Sequence, residues 1–314
     1  MIATKPLLSI CIPTYNREKY LKRLIDSIVH QKWFTNEIEI VIDDGPSKDG
    51  TERLIKQYQQ TYKNIRYFRN TKAVGMTASF LEAISLSNGK YTWLFGSDDF
   101  MYKNALEIVI DIIKSKSPTV ILPNRLSFSD IEKCKEYKET DIKLLDFQWF
   151  SDFGIYLWLD EKKKSPDKWN YFTFISVFCF ETDYYKKMLE YIENNICTSD
   201  EIKSNYFNFS LIIFAQLTAD KKIYIIENPR MVFCQEYNHW RKLNKKISTD
   251  LKTLINYLEN TYMLPKNCIK LLKKMSFSWW FSCYILGPIK NILNKVWLYE
   301  YALKIWKTYL KKSK

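Results

Sequence analysis

Two pairs of adjacent aspartates, Asp43 and Asp44 in VIDDGPSKDGT and Asp98 and Asp99 in YTWLFGSDDF, each follow a run of apolar residues. Neighbouring like charges repel unless something positive neutralises them, so such a strand end suits a divalent cation bridging to a phosphate-bearing ligand. Oxygen ligands of this kind favour Mg2+ or Mn2+. Plainer roles stay open: the second pair also suits a helix N-terminus facing the dipole of YKNALEIVI, and the first suits a turn. Glycine-rich phosphate cradles are excluded, because the chain has 7 glycines and neither G-x-G-x-x-G nor G-x-x-x-x-G-K-[ST]. Seven cysteines without a C-x-x-C pair and only two histidines argue against zinc and for a reduced, cytoplasmic protein. The N-terminal residues also lack the charged-then-apolar pattern of an export signal.

The elements that would position these acids alternate. LLSICIP, IEIVID, IRYFRN, KYTWLF and TVILPN read as strands, and NREKYLKRLIDSIVHQ, TERLIKQYQQTY, MTASFLEAISLSN and YKNALEIVIDIIKSK as the helices between them. Pro13 is expected to stop the first strand, Asn16 to cap the helix after it, and Asp49 with Glu52 to form a capping box on the next. This order predicts an α/β fold with a mostly parallel sheet flanked by helices, whose ligand lies beyond the carboxyl ends of the strands. Further on, YFTFISVFCF reads as a strand, DYYKKMLEYIENN as a helix, FSLIIFAQLTA as a helix and KKIYIIE as a strand.

The net charge of +13 is concentrated at the C-terminal end, where residues 263 to 314 hold eleven lysines, one acid and four of the ten tryptophans. With no arginine among them, these residues suit an anionic membrane surface better than nucleic acid. Their longest apolar stretch, MSFSWWFSCYILGPI, is shorter than the roughly 20 residues of a spanning helix. An ordinary packed helix pair with snorkelling lysines is the alternative. The expected division is a domain over residues 1–245, in two halves (about 1–125 and about 126–245), then a basic aromatic helical region over 246–314.

Together, CIPTYNREKY, VIDDGPSKDGT and FGSDDF resemble family 2 glycosyltransferases of the GT-A fold over roughly residues 6 to 110. Within that family they are most similar to O-antigen deoxysugar transferases of the abequosyltransferase kind. The resemblance implies a nucleotide-sugar site of Pro13, Thr14, Tyr15, Asn16, Asp43, Asp44, Gly75, Ser97 and Asp98, with Asp44 rather than Asp43 facing the base. It implies Mg2+ or Mn2+ at Asp98 and Asp99, with His239 near the diphosphate or metal; a surface histidine beside Trp240 is the other reading of that position.

Three positions depart from the family pattern. Gly96 stands where many members have the first aspartate of D-x-D, and Ala78 where a basic residue is frequent, which shifts diphosphate compensation toward the metal, Arg17 or Lys72. The Glu-Asp pair that usually supplies the general base is missing, leaving Asp200, Glu201 and Asp183 as candidates. The activity implied is inverting transfer of a sugar from a nucleotide diphosphate donor to a lipid-linked oligosaccharide acceptor, at the inner face of the cytoplasmic membrane, in bacterial surface polysaccharide assembly. A non-catalytic sugar-nucleotide or glycan binding protein and a peripheral membrane binding protein are the alternatives. No nucleic acid partner is expected, and the oligomeric state is not read from the sequence.

Overall fold

The computed structural model describes residues 5–128, 143–147, 175–195, 223–228, 232–235 and Lys273. The chain divides into two units, Met1–Tyr237 and Asn238–Lys314, and all described residues except Lys273 belong to the first. The basic aromatic region and its proposed membrane contact therefore lie outside the described residues.

The first 116 residues build β1 (Leu8–Thr14), α1 (Glu18–Val29), β2 (Ile38–Asp44), α2 (Thr51–Thr61), β3 (Ile65–Arg69), α3 (Met76–Ser85), β4 (Tyr91–Leu94), β5 (Phe100–Met101) and α4 (Ala105–Lys116). Then come β6 (Val120–Pro123), β7 (Arg125–Phe128), β8 (Lys143–Phe147), a single 3-10 turn (Ile175–Val177), β9 (Cys179–Glu181), α5 (Thr182–Asn195), β10 (Ile223–Asn228) and β11 (Val232–Gln235). Eight strands form one mixed sheet in the order β3-β2-β1-β4-β9-β6-β10-β8, and β5-β11-β7 form a second. The strands from β3 to β4 run parallel, which puts the ends of β1, β2 and β4 on one edge. β1 and β2 are buried at every position, the pattern of strands covered on both faces. α1 turns Leu21, Leu24, Ile25 and Ile28 into the core, one face at helical spacing.

The structure differs from the sequence reading in several places. Pro13 does not end β1; it pairs with Asp43, and the strand runs on to Thr14. The Cys11 carbonyl accepts Phe95 N–H on the β4 side and the Thr14 carbonyl accepts Gly45 N–H on the β2 side. Strand alternation then turns the missing donor of Pro13 toward β4, beyond its last pairing at Leu94, where no ladder bond is lost. Of the described part of YFTFISVFCF, residues 175–180, only Cys179 and Phe180 enter a strand, β9, which runs antiparallel between β4 and β6.

Helix capping also crosses between elements. Asp49 accepts Thr51 N–H and also caps α1 by accepting Glu18 N–H at 3.0 Å, while Glu18 accepts Gly50 N–H at 3.2 Å. Glu52, expected to complete a capping box, instead pairs with Lys56 and Arg69. At the opposite edge of the sheet, buried Glu39 accepts the Ser9 hydroxyl at 2.5 Å, Asn88 N–H at 2.7 Å and Arg66 at 3.2 Å. All of its ionic demand is met inside the fold, the condition under which a buried carboxylate is tolerated.

Candidate functional site

β1 ends in Thr14, which is buried and whose hydroxyl has no hydrogen-bond partner among the described residues. Next to it, the exposed Tyr15 ring lies over the turn after β2, where a Cβ on Gly45 would come within 2.9 Å of the ring. Asn16 takes a positive φ of 53° and does not cap α1. Its N–H instead reaches the Ser47 hydroxyl at 2.8 Å, and its Oδ1 accepts Lys48 N–H at 2.7 Å, tying the loop after β1 to the loop after β2.

The paired acids of β2 face different neighbours, as adjacent strand residues must. Asp43 accepts the Ser79 hydroxyl from α3 and the Asn70 amide at 3.0 and 3.1 Å. Asp44 accepts the Ser47 hydroxyl at 2.5 Å and the Tyr67 hydroxyl at 2.8 Å. Burial raises both carboxyls above the usual range, and these hydrogen bonds pull the other way without cancelling it. Gly75 precedes α3 at φ 89° in open surroundings, so it is conformation rather than space that calls for glycine. Lys72 and Gly75 lie in an exposed stretch over residues 71–76.

β4 leads into Gly96, Ser97, Asp98 and Asp99. Asp98 Oδ1 and Asp99 Oδ2 lie 3.1 and 3.2 Å from the point where a Gly96 Cβ would stand, so both carboxylates converge beside Gly96 and a side chain there would crowd them. Asp99 is buried; its Oδ2 accepts the Ser176 hydroxyl, whose oxygen accepts Gly96 N–H at 2.8 Å. The Ser176 carbonyl accepts the Trp93 indole N–H at 2.9 Å, so the 3-10 turn is fixed to the same strand end. Asp98 is half-buried and pairs with Arg17 at 3.2 Å. Arg23 donates to the Asp98 carbonyl, with its guanidinium 4.9 Å from the Phe100 ring centroid.

These contacts bring Thr14, Tyr15, Asn16, Asp43, Asp44, Ser97, Asp98 and Asp99 to one edge of the sheet. Asp183 is placed apart from them. β9 runs antiparallel to β4 and sets Glu181 opposite Tyr91, so Asp183, just beyond it, sits at the other edge, exposed and 3.5 Å from Lys5. As a base candidate it thus stands apart from the acids gathered at the strand ends. Asp200, Glu201 and His239 lie outside the described residues. Sequence reasoning missed Ser176, Ser79, Asn70, Tyr67 and Arg23, each of which meets its acidic partner from more than twenty positions away along the chain.

Among the described residues no group of three or more His, Cys, Asp or Glu side chains is disposed to hold a metal ion. The two hard carboxylate oxygens that converge beside Gly96 nevertheless suit a cation that takes few protein ligands and fills its remaining positions with water or phosphate oxygens. Among the described residues no helix is long and apolar enough to cross a membrane.

Abequosyltransferase RfbV of Salmonella typhimurium is 38% identical over 156 residues, 48% of this chain and 47% of the relative. The chain spans about half the length of the curated relatives it matches. Among solved structures, Staphylococcus aureus TarS 1-349 in complex with UDP-GlcNAc aligns with a TM-score of 0.60 at 16% identity, over 88% of this chain and 72% of that one. A mannosyltransferase from Pyrobaculum calidifontis in complex with GDP-Man and Mn2+ aligns with a TM-score of 0.60 at 13% identity, over 98% and 83%. Those structures establish the shared GT-A-type fold. The model of glycosyl transferase family 2 matches residues 9–184, more than half of the chain and every strand end that carries the candidate site, so the chain belongs to that family.

Proposed function

We propose that the protein is an inverting, metal-dependent glycosyltransferase that moves a sugar from a nucleoside diphosphate donor to a lipid-linked oligosaccharide in bacterial surface polysaccharide assembly. The observation that carries the donor reading is the buried Thr14 hydroxyl, which has no hydrogen-bond partner among the described residues, beside the exposed Tyr15 ring and the end of β2. An unsatisfied buried hydroxyl costs about 1–3 kcal/mol, and a ligand atom supplied at the strand ends would remove that cost. Tyr15 offers a face for a base, Asp44 an acceptor for its N–H groups, and Asp98 an oxygen for Mg2+ or Mn2+. Bound there, the cation would stabilise the charge of the departing diphosphate. Asp200 and Glu201 are the proposed bases that take the acceptor hydroxyl's proton. The abequosyltransferase relative supports a surface polysaccharide acceptor, and the lysine- and tryptophan-rich C-terminal residues support work at the inner face of the cytoplasmic membrane.

Thermal denaturation with UDP, GDP, CDP and dTDP, each with and without Mn2+, tests the reading. At least one nucleotide should raise the melting temperature, and more so with Mn2+. A protein indifferent to all four would refute it.

A further inference from the structure

Arg17 stands between Asn16 and the first residue of α1, and its Nη1 lies 3.2 Å from Asp98 Oδ2. The other oxygen of the same carboxylate, Oδ1, lies on the Gly96 side, where Asp99 Oδ2 also converges. Asp98 therefore presents one oxygen to an arginine and the other to the place that suits a cation. Both partners keep substantial exposure, 38% for Arg17 and 28% for Asp98, so the pair can exchange partners without the penalty of breaking a deeply buried ion pair.

Arg23 contributes a second positive charge from within α1, through its bond to the Asp98 carbonyl and its packing on Phe100. Two arginines thus lie by two carboxylates, and the acidic strand end is balanced before any ligand arrives. A dication approaching Asp98 meets the positive charge of Arg17. A diphosphate, by contrast, offers the guanidinium the paired oxygens that its planar fork binds best. The first turn of α3 has no basic side chain to compete for that role.

Resting on the proposed nucleoside diphosphate site, we infer that Arg17 is a placeholder cation. It holds Asp98 in the donor-free protein and moves to the donor's diphosphate, so divalent cation and nucleotide bind with positive coupling. Arg17 acts here as a positioning residue for the acidic pair and as a diphosphate contact.

The test is Mn2+ affinity, read from the electron paramagnetic resonance of free Mn2+ with and without the nucleoside diphosphate that stabilises the protein most. In the unaltered protein the nucleotide should tighten Mn2+ by about tenfold or more. Arg17→Gln should bind Mn2+ alone about tenfold tighter and reduce the coupling to about twofold. Arg17→Lys retains the charge without the fork; it should leave Mn2+ alone weak and still reduce the coupling, which keeps the test valid if the glutamine variant folds poorly. Unchanged Mn2+ affinity and coupling in both variants, with nucleotide still bound, would overturn the role of Arg17 alone. Failure of the unaltered protein to bind any nucleoside diphosphate would overturn the donor site and this inference together.

Discussion

Ser176→Ala removes a hydroxyl that serves two groups at once, the N–H of Gly96 and the buried carboxylate of Asp99. Ser176 is fully buried, so water does not readily replace that oxygen. Losing a hydrogen bond to a charged group costs about 1.5–3 kcal/mol and stranding a buried N–H about 1–3 kcal/mol; with partial relaxation the expected loss is about 2–4 kcal/mol. For a folded unit of this size that corresponds to a fall in melting temperature of roughly 5–10 °C. Urea denaturation of the alanine variant gives the magnitude, and a double-mutant cycle with Asp99→Asn shows whether the effect passes through Asp99. The two substitutions should be coupled by at least about 1 kcal/mol. Additive effects, or a Ser176→Ala variant within about 0.5 kcal/mol of the unaltered protein, would refute the reasoning.

Gly89→Ala should lose about 3 kcal/mol or more, because its Cβ would stand 2.6 Å from the Ser9 backbone nitrogen and 2.8 Å from the Tyr91 carbonyl oxygen; near-native chemical denaturation would contradict this. Asp183→Ala should change stability by less than about 0.5 kcal/mol and leave sugar transfer intact, since its exposed pairing with Lys5 lies at the far edge of the sheet; an inactive variant would restore it as a base candidate. Asp43→Asn tests the pH dependence. Burial raises the folded-state pKa of Asp43, so the folded protein holds this proton more tightly than the unfolded chain does. Its contribution to stability is then full below about pH 4 and is lost as the pH rises through the raised value. The urea midpoint of the asparagine variant, relative to the unaltered protein, should therefore climb as the pH rises above about 4. A difference constant with pH would show that Asp43 titrates normally.

The parts of the fold that could be read from sequence are those whose determinants are local. β1 and β2 announce themselves as uninterrupted apolar runs because both faces are covered, and α1 shows its buried side at helical spacing. The convergence of Thr14, Asp44 and Asp98 followed from parallel strands ending on one edge. What escaped depends on partners distant in sequence. Asp49 caps a helix 31 residues before it, a relation no capping-box pattern encodes. β9 has three residues and takes its direction from pairing with both β4 and β6, so neither its reversal nor the resulting displacement of Asp183 shows in its composition. Ser176 sits in an aromatic run that reads as core, and its use becomes visible only when the end of β4 lies against it.

The hydrogen bond between Ser176 and Asp99 joins residues 77 positions apart, and this imposes an order on folding during synthesis. A chain leaving the ribosome can pair β1 with β2 and β4 as soon as those strands are free. The hydroxyl that holds Asp99 and the carbonyl that accepts the Trp93 indole emerge only later. Until then the acidic strand end has two aspartates and part of its native support missing. A nascent chain that stops short of Ser176 should thus hold a nearly complete edge of parallel strands with an unsettled acidic end.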